Sequence, residues 1–215
     1  MLRRLGPRDL ASLARAGRGC AAAVAATALM QWAKDEKNLA PRRFIPYRTP
    51  QLCLREACSL AARGGHLDDL KWLHRTGCPW DTATSYAAAA GGFLEVLNWL
   101  HNTGCPMNSV TCFYAALGGR LDTIKWLHST GCPWDSDTCY AAAEGGHLEV
   151  LKWLHNTGCP WNYDTCTGAA MSGHLAMLHW ARERHCPWVK VAVRAQAARG
   201  GHVDMLRWLD EQGGP

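Results

Sequence analysis

The stretch DSDTCYAAAEGGHLEVLKWLHNTGCPW, residues 135–161, contains the pattern that decides the fold. Its first half is an alanine-rich run that ends at Gly145-Gly146. Glycine adopts the left-handed backbone conformation at little cost, so the pair predicts the end of a short helix. Asp137 or Thr138 is the expected N-cap, because a side-chain oxygen at that position accepts a hydrogen bond from a free backbone N–H.

The second half of the stretch predicts another helix, from Leu148 to about Thr157. Gly158 ends this helix, and Pro160 prevents its continuation. Polar residues occupy a narrow stripe of the helical wheel, and apolar residues occupy the wide remaining arc. The residues of the apolar arc are Leu148, Val150, Leu151, Trp153 and Leu154. Such a helix is expected to be buried on most sides.

The same unit recurs along the chain in three independent markers. The tryptophans are Trp72, Trp99, Trp126, Trp153, Trp180 and Trp208, spaced by 27 residues and finally by 28. The turn glycines are Gly65, Gly92, Gly119, Gly146, Gly173 and Gly201. The cysteines followed by proline are Cys78, Cys105, Cys132, Cys159 and Cys186. Stacking about six helix pairs would bury the apolar arcs continuously, which predicts an all-α solenoid of helix-turn-helix repeats. The tryptophans are expected to be buried between repeats, so that Trp→Ala would cost about 3–5 kcal/mol.

The string AAAEGGHLEVLKWLHNTGCPWN resembles the ankyrin repeat consensus. The resemblance extends from Glu56 to the C-terminus and implies an ankyrin-like stack that binds protein partners. The period of 27 residues is shorter than the usual period of about 33. The missing residues fall where ankyrin repeats have their β-hairpin fingers, so binding through fingers is not expected.

The charge distribution excludes some classes of partner. Residues 1–50 contain ten Lys or Arg against three Asp or Glu, whereas residues 51–215 contain 13 basic and 15 acidic residues. The repeats therefore lack the concentrated positive charge needed to bind nucleic acid. The longest apolar run is too short to span a bilayer, so no membrane segment is expected.

Repeated histidines and cysteines could suggest a metal site. His74 and Cys78 form the first of four His-x-x-x-Cys pairs, but zinc needs four converging ligands and successive repeats would keep equivalent pairs about 8–10 Å apart. A second cysteine row is Cys112, Cys139 and Cys166. Equivalent cysteines are likewise expected to be too far apart for disulfides, so both rows are predicted to be reduced core residues. His155 is expected to be packed and hydrogen-bonded.

No nucleophile elbow, phosphate loop or dinucleotide fingerprint occurs in the sequence. The turn histidines cannot share a catalytic role, because Phe93 and Arg120 stand at the same position of other repeats. The resemblance implies that they hold the turn. The interpretation is a protein without enzymatic activity, without a cofactor and without a bound metal.

The N-terminal segment, residues 1–37, is predicted to be helical and is open to three interpretations. It could cap the first repeat or serve as an arginine-rich mitochondrial presequence. It also resembles the second half of an F-box between Leu5 and Trp32, which implies contact with the linker subunit of a cullin–RING ubiquitin ligase through Asp9, Leu10 and Leu13. Residues 38–51 are interpreted as a linker and residues 52–215 as the repeat domain. The chain could also be a truncated gene product.

Comparison of the repeats indicates a candidate binding surface. The residue before the turn glycines differs widely in chemistry between repeats, as expected of a solvent-facing position. This pre-turn row is Arg63, Ala90, Leu117, Glu144, Met171 and Arg199. Four residues earlier on the same helical face is the aromatic row, which is Ser59, Tyr86, Phe113, Tyr140, Thr167 and Ala195. The alternative is that the three aromatic side chains pack between helices. The candidate partner-binding residues are Tyr86, Phe113, Leu117, Tyr140, Glu144, Thr167, Met171 and Arg199.

The function predicted from these observations is a monomeric protein-interaction scaffold in the cytoplasm or nucleus, serving as a substrate-recognition subunit of a ubiquitin ligase if the F-box resemblance holds. The alternatives are a mitochondrial binding protein with a cleaved presequence and a redox- or metal-responsive scaffold.

Overall fold

The computed structural model describes residues 50–75 and 77–211, which form twelve α-helices and no strand. The first helices of the six repeats are α1 Pro50–Arg63, α3 Thr82–Gly91, α5 Ser109–Leu117, α7 Ser136–Glu144, α9 Tyr163–Met171 and α11 Lys190–Gly200. The second helices are α2 Leu67–Arg75, α4 Leu94–Asn102, α6 Leu121–Ser129, α8 Leu148–Asn156, α10 Leu175–Glu183 and α12 Val203–Glu211. The predicted all-α solenoid is therefore confirmed.

The N-terminal segment of residues 1–37 lies outside the described residues, and Asp9, Leu10 and Leu13 lie there with it. Helix α1 begins at Pro50, within the last residues of the segment assigned to the linker. None of the helices in the described ranges is long and apolar enough to cross a membrane.

The first helices of successive repeats pack directly against one another, and each second helix packs on the first helix of its own repeat. Alanine makes the close approach possible, as in α7, where Ala141, Ala142 and Ala143 are completely buried. The second helices contribute the larger core side chains. In α8 these are Leu151 and Leu154, both without exposed surface. The core is thus one continuous layer between the two rows of helices.

The tryptophans lie at the edge of this core and not within it. Trp153 and its equivalents are half-buried and pack against the core, so they are less buried than the sequence predicted. They bridge the second helices of neighbouring repeats through mixed histidine–tryptophan stacks. His128 stacks on Trp134 with ring centroids 4.1 Å apart, and both rings meet the edge of Trp153 in the next repeat. The group formed by His155, Trp161 and Trp180 repeats this arrangement.

The N-caps of the first helices lie earlier than expected. Asp135 caps α7 by accepting a hydrogen bond from the backbone N–H of Asp137, so the assignment of the cap to Asp137 or Thr138 is wrong. Thr138 is completely buried instead. Asp81, Asn108 and Asn162 cap the neighbouring first helices in the same way.

The turn between the two helices is held by the following repeat. His147 Nε2 donates a hydrogen bond to the carbonyl oxygen of Leu117 at 3.1 Å, and Arg120 Nε donates to that of Ala90 at the same distance. His202 makes the equivalent bond to Met171. This position therefore needs a side chain that can donate across the repeat boundary or fill the space there. That structural role explains why it accepts both His and Arg.

Candidate functional site

The aromatic row lies on the face formed by the first helices, here called the first-helix face. Tyr86, Phe113 and Tyr140 are half-buried at the fifth position of α3, α5 and α7. Each of these helices starts directly after its N-cap residue. The aromatic side chain therefore lies five residues after the cap in all three helices. Each ring therefore packs partly between helices and is partly exposed to solvent. This position lies between the two interpretations of the sequence, a binding surface and packing between helices.

The aromatic side chains form a connected cluster. Tyr86 and Tyr114 are stacked with ring centroids 5.5 Å apart, and Phe113 and Tyr140 are stacked at 6.5 Å. The edge of Phe113 meets Tyr114 and joins the two pairs. The hydroxyl of Tyr86 donates to the Asn108 side-chain oxygen at 3.0 Å, which ties the cluster to the N-cap of α5. Aromatic rings held in this way lose little freedom when they bind a partner.

Tyr114 was missed by the sequence analysis. It is 37% exposed and lies one position after the aromatic row, where the second, fourth and fifth repeats have the small residues Ala87, Ala141 and Gly168. The signal was available in the sequence as the only aromatic residue at that position of the six repeats.

The pre-turn row is accessible along its whole length. Arg63, Met171 and Arg199 are exposed, whereas Leu117 and Glu144 are half-buried. At Ala90, Leu117 and Met171 the backbone carbonyl of this row accepts a hydrogen bond from the turn residue of the next repeat. Its side chains can therefore differ in chemistry without changing the stack.

Tyr140 and Glu144 interact across one turn of α7. Burial raises the pKa of Tyr140, and the negative charge of Glu144 together with the hydrogen bond it accepts raises the pKa further. Thr167, at the equivalent position of α9, donates its hydroxyl hydrogen to the carbonyl oxygen of Asp164 at 2.9 Å. The row is therefore aromatic only as far as α7. In α9 its position is taken by Thr167, whose side chain is hydrogen-bonded to its own helix.

A groove of about 370 Å³ opens on the first-helix face at the first three repeats. Members of both rows line it, together with Glu56 at one side and Tyr114 at the other. The row members are Ser59, Arg63, Tyr86 and Ala90. The structure thus brings Tyr86 into a concave site with Arg63, whereas Leu117, Tyr140 and Glu144 lie farther along the same face.

The histidines and cysteines of the His-x-x-x-Cys pairs do not converge. His74 stacks on Trp80 at 3.8 Å, and the ring of His155 is likewise held by aromatic stacking. The paired cysteine instead approaches the N-cap of its repeat, as Cys159 Sγ donates to the carbonyl oxygen of Asp135 at 3.5 Å. Among the residues that the structure describes, no group of three or more His, Cys, Asp or Glu side chains could hold a metal ion.

No protein-family model and no curated protein sequence matches the chain. Among solved structures, the human ASB11 ankyrin repeat domain superposes with a TM-score of 0.56 over 78% of this chain and 85% of that chain, at 18% sequence identity. This similarity shows that the chain has the ankyrin repeat fold, in agreement with the resemblance seen in its repeats.

Proposed function

We propose that this chain is a protein-interaction scaffold that binds its partner on the first-helix face. The observation that carries the proposal is the connected cluster of Tyr86, Phe113, Tyr114 and Tyr140, which exposes aromatic surface on an otherwise alanine-rich face. Tyrosine and other aromatic residues contribute a large share of the binding free energy at protein interfaces. The adjoining groove offers the concavity that a partner side chain needs.

The double substitution Leu117→Glu with Tyr140→Ala tests this proposal. We expect the midpoint of thermal unfolding to fall by no more than about 5 °C, because both side chains are half-buried. Binding should weaken by about 30-fold or more, as expected when an interface loses about 2 kcal/mol at a hot spot. The measurement is affinity capture from cell extract with the unaltered chain as bait, followed by mass spectrometry and a repeat with the variant.

A matched control carries the same change in charge on the opposite side of the repeats. Asn98→Glu with Asn156→Ala alters two exposed side chains of the second helices and should recover the same partners as the unaltered chain. Equal recovery by the first-helix variant and this control would rule out the proposed surface. A large fall in the melting temperature of the first-helix variant would place the aromatic row in the core instead.

A more specific role as the substrate-recognition subunit of a cullin–RING ubiquitin ligase is proposed from the F-box resemblance of residues 5–32. In that role the N-terminal segment would bind the cullin linker subunit, and the first-helix face would bind the protein to be modified. The nine described cysteines are free thiols, which accords with a cytoplasmic or nuclear location. Import into mitochondria remains the alternative for this arginine-rich segment.

The substitutions Leu10→Ala and Leu13→Ala separate these possibilities. If the segment acts as an F-box, the native chain should co-purify with the linker subunit and the double variant should lose at least about 90% of it, since each removed leucine would cost about 1 kcal/mol or more of binding free energy. Capture of partners by the first-helix face should not change. Retained association in the variant, or none with the native chain, would contradict the ligase role and leave the binding role standing.

A further inference from the structure

Cysteines 20 residues apart in sequence form a pair inside four of the six repeats. Cys58 Sγ lies 2.8 Å from Cys78 Sγ, and both thiols are buried. Cys112 and Cys132, Cys139 and Cys159, and Cys166 and Cys186 occupy the same two positions of the third, fourth and fifth repeats, and in each pair one thiol lies close enough to the other to interact with it. These pairs were not predicted from the sequence, where equivalent cysteines of successive repeats are the regular feature. In the second repeat, Ser85 takes the place of the first cysteine opposite Cys105.

The geometry of the pairs favours covalent sulfur chemistry over metal binding. Sulfur atoms that share a tetrahedral zinc ion stand roughly 3.8 Å apart, given Zn–S bonds of about 2.3 Å. The sulfurs of Cys58 and Cys78 are already closer than that, at 2.8 Å. They would have to approach by only about 0.8 Å to reach the length of a disulfide bond. No third ligand joins any described pair to make a metal site.

The pair in the third repeat is the most accessible. Cys132 is half-buried, whereas the other seven paired cysteines are buried. The hydrogen bond from Cys112 lowers the pKa of Cys132, while the same bond and burial raise the pKa of Cys112. A small peroxide that enters from solvent reaches half-buried Cys132 before buried Cys112, so Cys132 is placed to attack and Cys112 to resolve.

We propose that Cys112 and Cys132 form a site of reversible oxidation by small hydroperoxides, at which a disulfide closes within one repeat. The Cys132 thiolate attacks one peroxide oxygen, the O–O bond breaks, and hydroxide leaves to be protonated to water. The sulfur of Cys132 now carries a hydroxyl group as a sulfenic acid. The Cys112 sulfur attacks it, the S–O bond breaks, and a second water leaves with the proton of Cys112. The two sulfurs lose two electrons, which the peroxide gains; a small thiol such as glutathione reverses the reaction.

Oxidation also changes the contacts of the first-helix face. Reduced Cys132 donates its thiol hydrogen to the carbonyl oxygen of Asn108 at 3.4 Å. Asn108 caps α5, and its side-chain oxygen accepts the hydrogen bond from Tyr86. The disulfide has no thiol hydrogen, so the bond to Asn108 is lost next to the aromatic row. The proposed oxidation does not depend on the identity of any partner.

The test uses the full chain treated with hydrogen peroxide, denatured, alkylated with iodoacetamide and digested without reduction. Mass spectrometry should find a peptide that joins Cys112 to Cys132, formed several-fold faster than the other three pairs and reversed by dithiothreitol. Complete alkylation of Cys132 at a peroxide concentration that oxidises free cysteine would overturn the proposal. Conversion of Cys132 directly to sulfinic acid, or a disulfide to a cysteine of another repeat, would do the same.

Two variants sharpen the test. Cys112→Ser makes the third repeat resemble the second, so Cys132 should stop at the sulfenic acid and be trapped by dimedone. Ser85→Cys completes the pair missing from the second repeat and should produce a new disulfide with Cys105, whereas Cys105 in the unaltered chain stays open to alkylation. Circular dichroism checks that each variant is helical. Complete alkylation of Cys132 with no dimedone adduct in peroxide-treated Cys112→Ser overturns the assignment even if Ser85→Cys fails to fold.

Discussion

Leu154→Ala is expected to lower the free energy of unfolding by about 2–5 kcal/mol. The Leu154 side chain has no exposed surface and lies in the layer between the first and second helices. Its removal leaves a cavity that the alanine-packed first helices cannot fill, because they already touch one another. Chemical denaturation followed by circular dichroism measures the loss.

Trp153→Ala provides the informative comparison, since it removes a larger side chain one residue away. Trp153 is half-buried at the edge of the core, so we expect it to cost less than Leu154→Ala, although it also breaks the contacts with His128 and Trp134. Lys152→Ala on the same helix should change stability by no more than about 0.5 kcal/mol. If Trp153→Ala lowers the free energy of unfolding as much as Leu154→Ala does, or more, the half-buried position of the tryptophans at the edge of the core would be contradicted.

The positions of the helices could be read from the sequence because their ends are marked by local chemistry. Glycine at the turn and the recurring Cys-Pro step mark the helix ends in the first five repeats, and the second helix predicted from Leu148 begins at that residue in the structure. The N-cap of α7 could not be read in the same way. Asp135, Asp137 and Thr138 can all accept the capping bond, and the choice depends on the packing that buries Thr138.

Burial within the apolar arc also depends on three-dimensional packing. A helical wheel places Leu154 and Trp153 in one wide arc but does not tell which edge of that arc faces solvent. The answer is set by the neighbouring repeat, which contributes the rings that stack at the edge. For the same reason His155, expected to be packed and hydrogen-bonded, is held by stacking on Trp161.

The candidate surface was found by comparing equivalent residues, and the cysteine pairs were missed by the same comparison. Tolerance of Arg, Leu and Glu at one position indicates solvent without any knowledge of the fold. Contact between Cys58 and Cys78 requires that the end of a repeat return to the first helix of that repeat. This contact depends on how the two helices and the following loop of a repeat pack together. The spacing of residues along the sequence does not specify that packing.

Gly119→Ala is expected to lower the free energy of unfolding by about 2–5 kcal/mol, through two separate effects. Gly119 has a φ of +69°, a left-handed conformation that costs any other residue about 1–2 kcal/mol. A Cβ atom there would also lie 2.5 Å from Nδ1 of His147. The ring cannot simply turn away, because its Nε2 donates to the carbonyl oxygen of Leu117 in the preceding repeat.

Gly131→Ala isolates the first of these effects. Gly131 has a φ of +77°, but no atom lies within 4 Å of the position that its Cβ would take. We therefore expect Gly131→Ala to cost only about 1–2 kcal/mol, the price of the backbone conformation alone. The effect of Gly119→Ala should also be measured in a chain that already carries His147→Ala. There the clash is absent, so the loss in free energy of unfolding should fall towards about 1–2 kcal/mol. Urea denaturation of the four chains measures this coupling. Equal losses for Gly119→Ala and Gly131→Ala would mean that the histidine ring yields freely, and the turn would then not be locked by the following repeat.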